Sequence, residues 1–206
     1  MSRAVLTLLA AGLAAGLPAL AHDGEDHATA TEAAADAADA APAGLPLPFA
    51  LGGPFALTDQ DGAIRTQADP DGRMQLLFFG YANCPSICAV ALPLMAEVTD
   101  SLAARGLPVT PVMITVDPAR DTTRTIGPPL EAIHPAFVGL TGSEADLRTA
   151  YDAFRIEKEV VFEDPEHGPI FAHGSHIYLL SADGAFLTLL PPILSADRIT
   201  EIAMGY

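Results

Sequence analysis

The sequence predicts an α/β sandwich, and three observations predict it. Two continuous apolar runs of strand length, 74–79 (MQLLFF) and 109–116 (VTPVMITV), enclose a stretch with helical spacing at 89–104; two further strand segments around Asp183-Gly184 then lead into a closing helix. Strands alternating with helices form a sheet under helical layers, and uninterrupted apolar runs mark strands covered on both faces. The 206 residues allow one ordinary domain with appendages, and 50% of them are hydrophobic, enough for a packed core.

Residues 1–21 carry Arg3, an apolar run over 4–17, Pro18 and the small-residue end Ala19-Leu20-Ala21, the layout of a signal peptide with an A-x-A cleavage site. Cut there, the chain begins at His22 in a periplasm-like compartment where thiols and disulfides both persist. Left uncut, the same run is a membrane anchor, only slightly short of the roughly 17 to 25 residues that span a bilayer. Asp, Arg, Pro or Gly interrupts every later hydrophobic run. Residues 22–44 are Ala-rich and acidic and read as a flexible linker, and 45–206 as the folded domain.

Within that domain, 55–58 and the turn Asp59-Gln60-Asp61-Gly62 predict a peripheral hairpin. The strand 74–79 follows. Leu92, Met95, Val98 and Leu102 line one face of the helix 89–104, and Pro93 belongs in its early part because a deeper proline breaks the backbone bonding. Asp117-Pro118 closes the strand 109–116, and 137–140 is a short third strand. Ser143 caps a helix running to 154, with Glu144 and Asp146 favourably placed against the positive helix end. Strands 176–180 and 185–190 form a hairpin around Asp183-Gly184, and Ser195 caps a last helix at 196–204.

Lys and Arg number 10 against 26 Asp and Glu, a net charge of −16. Nucleic acid is a poor partner for such a chain, whereas cations and basic protein patches suit it. Two cysteines exclude a multi-bridge disulfide scaffold. They lie in Cys84-Pro85-Ser86-Ile87-Cys88, directly after a buried strand and at the start of a helix. Four residues make about one helical turn, so the sulfurs can share a metal ion or close a disulfide. The unpaired N–H groups at a helix start favour thiolate, which is both nucleophile and soft-metal ligand. A purely structural disulfide here would close a very short loop and remove little entropy from the unfolded chain.

A third ligand has to come from six histidines: His22, His27, His134, His167, His173 and His176. His22 and His27 flank the acidic Asp23-Gly24-Glu25-Asp26 and read as solvated or as a loose metal catch. His134 and His167 sit beside prolines in apparent loops. His176 has strand periodicity with Tyr178 and Leu180, so it reads as a sheet-face side chain. His173 precedes a Gly-Ser step at a strand entrance, from which it can reach a site at the ends of neighbouring strands. Two thiolates with one imidazole make a soft, low-coordinate set that suits Cu(I), and with one more ligand Cu(II) or Zn(II); hard ions prefer oxygen cages.

Four ordered segments carry a resemblance: Phe79-Gly80-Tyr81-Ala82-Asn83-Cys84-Pro85-Ser86-Ile87-Cys88, Thr115-Val116-Asp117-Pro118-Ala119-Arg120-Asp121-Thr122, 137–142 (FVGLTG) and 173–179 (HGSHIYL). Together they resemble the Sco/SenC family, from about Pro54 to the C-terminus. The resemblance implies a thioredoxin-like sandwich with a central mixed sheet flanked by helices. It also implies copper as cargo, held by Cys84, Cys88 and His173, and a role as copper chaperone or thiol-disulfide factor in building the dinuclear copper centre of cytochrome c oxidase. The implied partners are the apo copper-binding subunit of the oxidase and other periplasmic copper carriers, met by a monomer. As an enzyme, the chain would be a thiol-disulfide reductase using Cys84 and Cys88. A peroxidase reading lacks a Thr or Ser upstream of Cys84, and an inert binding module would need neither metal nor exchange. The family's aspartate motif falls on Asp117 and Asp121, which by that resemblance shape the site or its partner surface, while on residue types alone Asp117-Pro118 reads as a strand-ending turn and Arg120 and Asp121 as solvated loop charges. Gly127-Pro128-Pro129 interrupts the helix that usually follows that motif, and Ser86 and Ala89 stand where many members have Asp and Pro.

Overall fold

The computed structural model describes residues 50–82, 84 and 86–206; the signal segment, the linker, His22 and His27 lie outside them. Nine strands and four helices follow one another among the described residues: β1 (Ala56–Asp59), β2 (Ile64–Thr66), β3 (Met74–Gly80), α1 (Cys88–Ala104), β4 (Val109–Thr115), α2 (Gly127–Ile133), β5 (Val138–Thr141), α3 (Glu144–Phe154), β6 (Glu159–Asp164), β7 (Gly168–Ala172), β8 (Ile177–Leu180), β9 (Phe186–Leu190) and α4 (Ala196–Ala203). Seven strands make a mixed sheet in the order β2-β1-β5-β4-β3-β8-β9. The centre is parallel: β3 pairs with β4 in register from Met74↔Val109 to Gly80↔Thr115, and β4 with β5. Antiparallel pairs flank it, β8 on β3 and β1 on β5.

β3 and β4 are central because they are apolar on both faces, and burial follows: Leu76, Phe78, Met113 and Ile114 are fully buried. Side chains alternate across a strand, so Phe78 and Phe79 face opposite layers. Phe79 meets Phe154 of α3 at 5.4 Å and Tyr151 at 6.1 Å between ring centroids, and Phe154 meets Tyr178 at 5.2 Å. Phe78 and Gly80 face the layer of α1, where the predicted stripe Leu92, Met95, Val98 and Leu102 is buried. α4 packs against α1. Both predicted caps are present: the Ser143 and Ser195 hydroxyls each accept an N–H three residues on, from Asp146 and Arg198 at 3.2 Å. No helix among the described residues is long and apolar enough to cross a membrane.

One expectation is corrected. Gly127-Pro128-Pro129 does not interrupt a helix but opens α2, since prolines in the first turn lack only N–H groups that would have no intrahelical partner. Between α3 and β8, where no local pattern predicts an element, β6 pairs antiparallel with β7 in a ribbon outside the main sheet.

Candidate metal centre

β3 delivers the chain to the site at its C-terminal end. After Gly80 the backbone turns, the Cys84 N–H donates to the Tyr81 carbonyl at 3.2 Å, and Cys88 begins α1. A Cβ on Gly80 would stand 3.1 Å from the Cys88 sulfur and 2.8 Å from a ring carbon of Phe78. Only glycine lets the sulfur nest on the strand end. Cys88 is buried at 3% exposure, Cys84 is half-buried, and both are free thiols.

His173 arrives from the far end of the sequence, on the loop between β7 and β8. It is buried at 4% exposure, with Nε2 3.9 Å from the Cys88 sulfur. Phe78 and Tyr81 meet its ring edge-on, each at 5.8 Å and 83°, so its orientation is set by packing. The ligand atoms of Cys84, Cys88 and His173 all lie within 4.8 Å of one another. Metal–ligand bonds of about 2.0 to 2.3 Å put donor atoms roughly 3.5 to 4 Å apart around an ion. The cluster is therefore close to ligation geometry, and its donors are the soft kind. Nδ1 of His173 is buried with no hydrogen-bond partner among the described residues. Nε2 is the nitrogen turned toward the sulfurs, and is therefore the one presented to a metal.

The two thiols are electrostatically unlike. Cys84 is held well below the ordinary thiol range, first by the Cys88 thiol turned toward its sulfur, then by His173 and the backbone N–H groups of Ser86 and Cys88, against the opposing effect of burial. Cys88 is pushed up by the same partnership, by burial and by the charge on Cys84. Cys84 is thus the thiolate and Cys88 the proton donor. Burial, then the Cys84 charge, pushes the Tyr81 phenol up to about 12, so it stays a neutral wall of the site.

The aspartate motif is built into this wall. Asp121, at 1% exposure, accepts the Ala82 N–H at 3.0 Å and the Thr115 hydroxyl at 2.7 Å through one oxygen, tying the loop before Cys84 to the end of β4. Burial raises its carboxyl above the usual range, the two hydrogen bonds pulling the other way. Asp117 is also buried and pairs with the Arg120 guanidinium, which reaches across to the carbonyls of His167 and Pro169 and lies 5.6 Å from the centre of the Tyr81 ring. The reading of Arg120 and Asp121 as solvated loop charges is therefore corrected. A polar residue with a local turn role and one clamped under a packed loop look alike in sequence.

The other described histidines are not among the three clustered donors. His176 is exposed and lines, with Arg155, Glu157, Glu159 and Tyr178, a depression of about 410 Å³ that His173 also borders. His134 ends α2 and bonds Asp100 at 3.1 Å; His167 lies in the β6–β7 turn and bonds Asp164 at 3.0 Å. The sequence reading gave no site role to Phe78, Gly80 or Tyr81; only the adjacency of Gly80-Tyr81 to the cysteines pointed to them.

A family model described as SCO1/SenC matches residues 45–205. The chain is similar to a SCO2-like protein of Rickettsia felis, 36% identical over 156 residues that cover 75% of this chain and 76% of that one. It is similar to the human mitochondrial SCO2 homolog, 36% identical over 151 residues, 72% of this chain but 57% of the human protein. Among solved structures it resembles Arabidopsis thaliana ScoI with copper bound, at TM-score 0.70, 29% identity and coverage of 76% and 100% of the two chains. Bradyrhizobium japonicum ScoI with copper bound matches at TM-score 0.68 and 31% identity, covering 76% and 99%.

Proposed function

The chain belongs to the SCO1/SenC family, and from that premise we propose that it is a periplasmic copper carrier that loads one copper ion on Cys84, Cys88 and His173 and passes it to the dinuclear copper site of cytochrome c oxidase. The observation that supports this most directly is the convergence of two sulfurs and one imidazole within 4.8 Å, one sulfur accessible and two donors buried. Copper is cargo, so the site has to hold it firmly and still release it. Buried Cys88 and His173 retain the ion, and half-buried Cys84 is where an incoming ligand from the receiving subunit can join before an old one departs. Ligand exchange of this kind moves no electrons. The depressed Cys84 thiol meets the ion already deprotonated, and Cys88 gives up its proton on loading.

Copper titration of the reduced protein, followed by absorbance and spin resonance, tests the reading. One copper per chain is expected, lost in both Cys84→Ser and Cys88→Ser; retention in both variants would refute the site. His173→Ala should weaken Cu(II) binding more than His176→Ala, and the opposite ranking would move the third ligand.

The contrast between the two thiols supports a second reading, reduction of the oxidase's copper-ligand cysteines. The Cys84 thiolate would attack a substrate disulfide, expelling one thiolate and forming a mixed disulfide. Cys88, once deprotonated, would then displace the second thiolate and leave Cys84–Cys88 oxidised by two electrons. Exchange by the metal-free protein that is unaffected by His173→Ala would favour this reading.

A further inference from the structure

Among the described residues, the ribbon β6–β7 pairs only with itself. Two strands alone are marginal in water, and here the inner strand does the anchoring. Ile170 is buried, Phe171 meets the Tyr81 ring edge-on at 5.5 Å, and Arg120 binds the carbonyls at 167 and 169. The outer strand has no such cover. Val160, Val161 and Phe162 are consecutive and 47%, 61% and 53% exposed. A bulge between Val160 and Phe162 breaks the strict alternation that would turn only one apolar face outward. Contiguous exposed apolar residues on a folded surface mark an interaction site.

The surroundings say what fits. Glu157, Glu159, Glu163, Asp164 and Glu166 flank the apolar run on both sides along the chain, and the one lysine among them, Lys158, lies 3.9 Å from Glu144. Such an acidic flank repels an anionic bilayer and also a second copy of this chain, whose net charge is −16. It matches an apolar spot rimmed by Lys or Arg. The ribbon also lies next to the thiol–imidazole cluster: Val160 pairs with Phe171, and β7 runs directly into His173.

We propose that the β6–β7 ribbon is a docking arm for the copper-exchange partner, through Val160, Val161 and Phe162, and that it selects a protein surface with an apolar centre and a basic rim. The partner's role in copper exchange rests on the function proposed above; the docking chemistry does not.

The test titrates the isotope-labelled, metal-free chain with two synthetic peptides sharing a Leu-Val-Phe centre, one flanked by lysines and one by glutamates. The lysine-flanked peptide should shift the amide signals of 160–162 saturably and bind at least about tenfold more tightly, with a preference that shrinks as salt rises. Val161→Asp should abolish binding while the chain still takes up copper, and Glu163→Lys/Glu166→Lys should turn the preference toward the glutamate-flanked peptide. Equal affinity for both peptides, shifts located elsewhere, binding that survives Val161→Asp, self-association through the ribbon, or preferential uptake onto anionic phosphatidylglycerol vesicles would each overturn the proposal. Copper is absent from the titration, so failure of the Cys84, Cys88 and His173 site would overturn the carrier function and leave this result standing.

Discussion

At Cys84 a cysteine is a thiolate because of where it sits, and four residues later the same side chain is held as a thiol. Alkylation at about pH 6 with iodoacetamide should therefore label Cys84 and spare Cys88, since free thiols titrate near 8.5 and only the thiolate reacts. Peptide mass mapping reads the outcome; equal labelling would contradict the assignment. Asp121 provides a second residue-scale prediction. Its folded-state pKa is raised, so protonation favours the folded form: the stabilising contribution is full below its unfolded value of about 3.9 and is lost as pH rises through the folded value. Asp121→Asn removes that titration. The stability of the native chain relative to the variant should rise on acidification from neutrality toward pH 4, as measured by denaturant unfolding; a difference that stays flat would place the carboxyl's charge elsewhere. The helix start signalled in sequence that a thiolate is favoured, but the split between the two thiols and the shift on Asp121 had no signature there, because they arise from burial and from partners brought in by folding.

Among the elements, Arg120 decides whether the ribbon stays against the site. Gly168 faces it: its φ of +70° favours glycine, and a Cβ there would stand 2.8 Å from a guanidinium nitrogen. Arg120→Gln should speed amide exchange across β6–β7 and cost about 1 to 3 kcal/mol, since it strips a buried carboxylate and two carbonyls of their donor. Arg120→Lys should rescue little, because one ammonium cannot reproduce a planar fork that serves three acceptors. Hydrogen exchange and chemical denaturation would show it, and an unchanged ribbon would mean that the Tyr81 to Phe171 contact is sufficient. The local elements were legible where the pattern is local: the apolar runs of β3 and β4, the serine caps of α3 and α4, and the stripe on α1. Residues 159–172 were not legible, because an exposed ribbon shows none of the alternation that signals a half-buried strand.

For the whole molecule, net charge is the dominant long-range quantity. The exposed ion pairs, such as Arg198 with Glu201 and Arg73 with Asp71, contribute little each, while the −16 excess repels itself throughout. Adding salt shortens the screening length from about 30 Å at 0.01 M to about 8 Å at 0.15 M, so Tm should rise over that range. Calorimetry at several salt concentrations checks this, and a falling Tm would mean that the surface pairs outweigh the repulsion. By itself, the sequence determined what depends on near neighbours along the chain: the central strands, the capped and striped helices, and that two thiols stand one turn apart at a strand-to-helix junction. The resemblance implied His173, but only the tertiary structure brings its ring beside the sulfurs. His173 and Cys88 are 85 residues apart, and they meet because β8 pairs antiparallel with β3 and carries the preceding loop back over the end of that strand. Periodicity and capping report local backbone preference, whereas such a meeting depends on strand order, which is set by packing across the whole sheet.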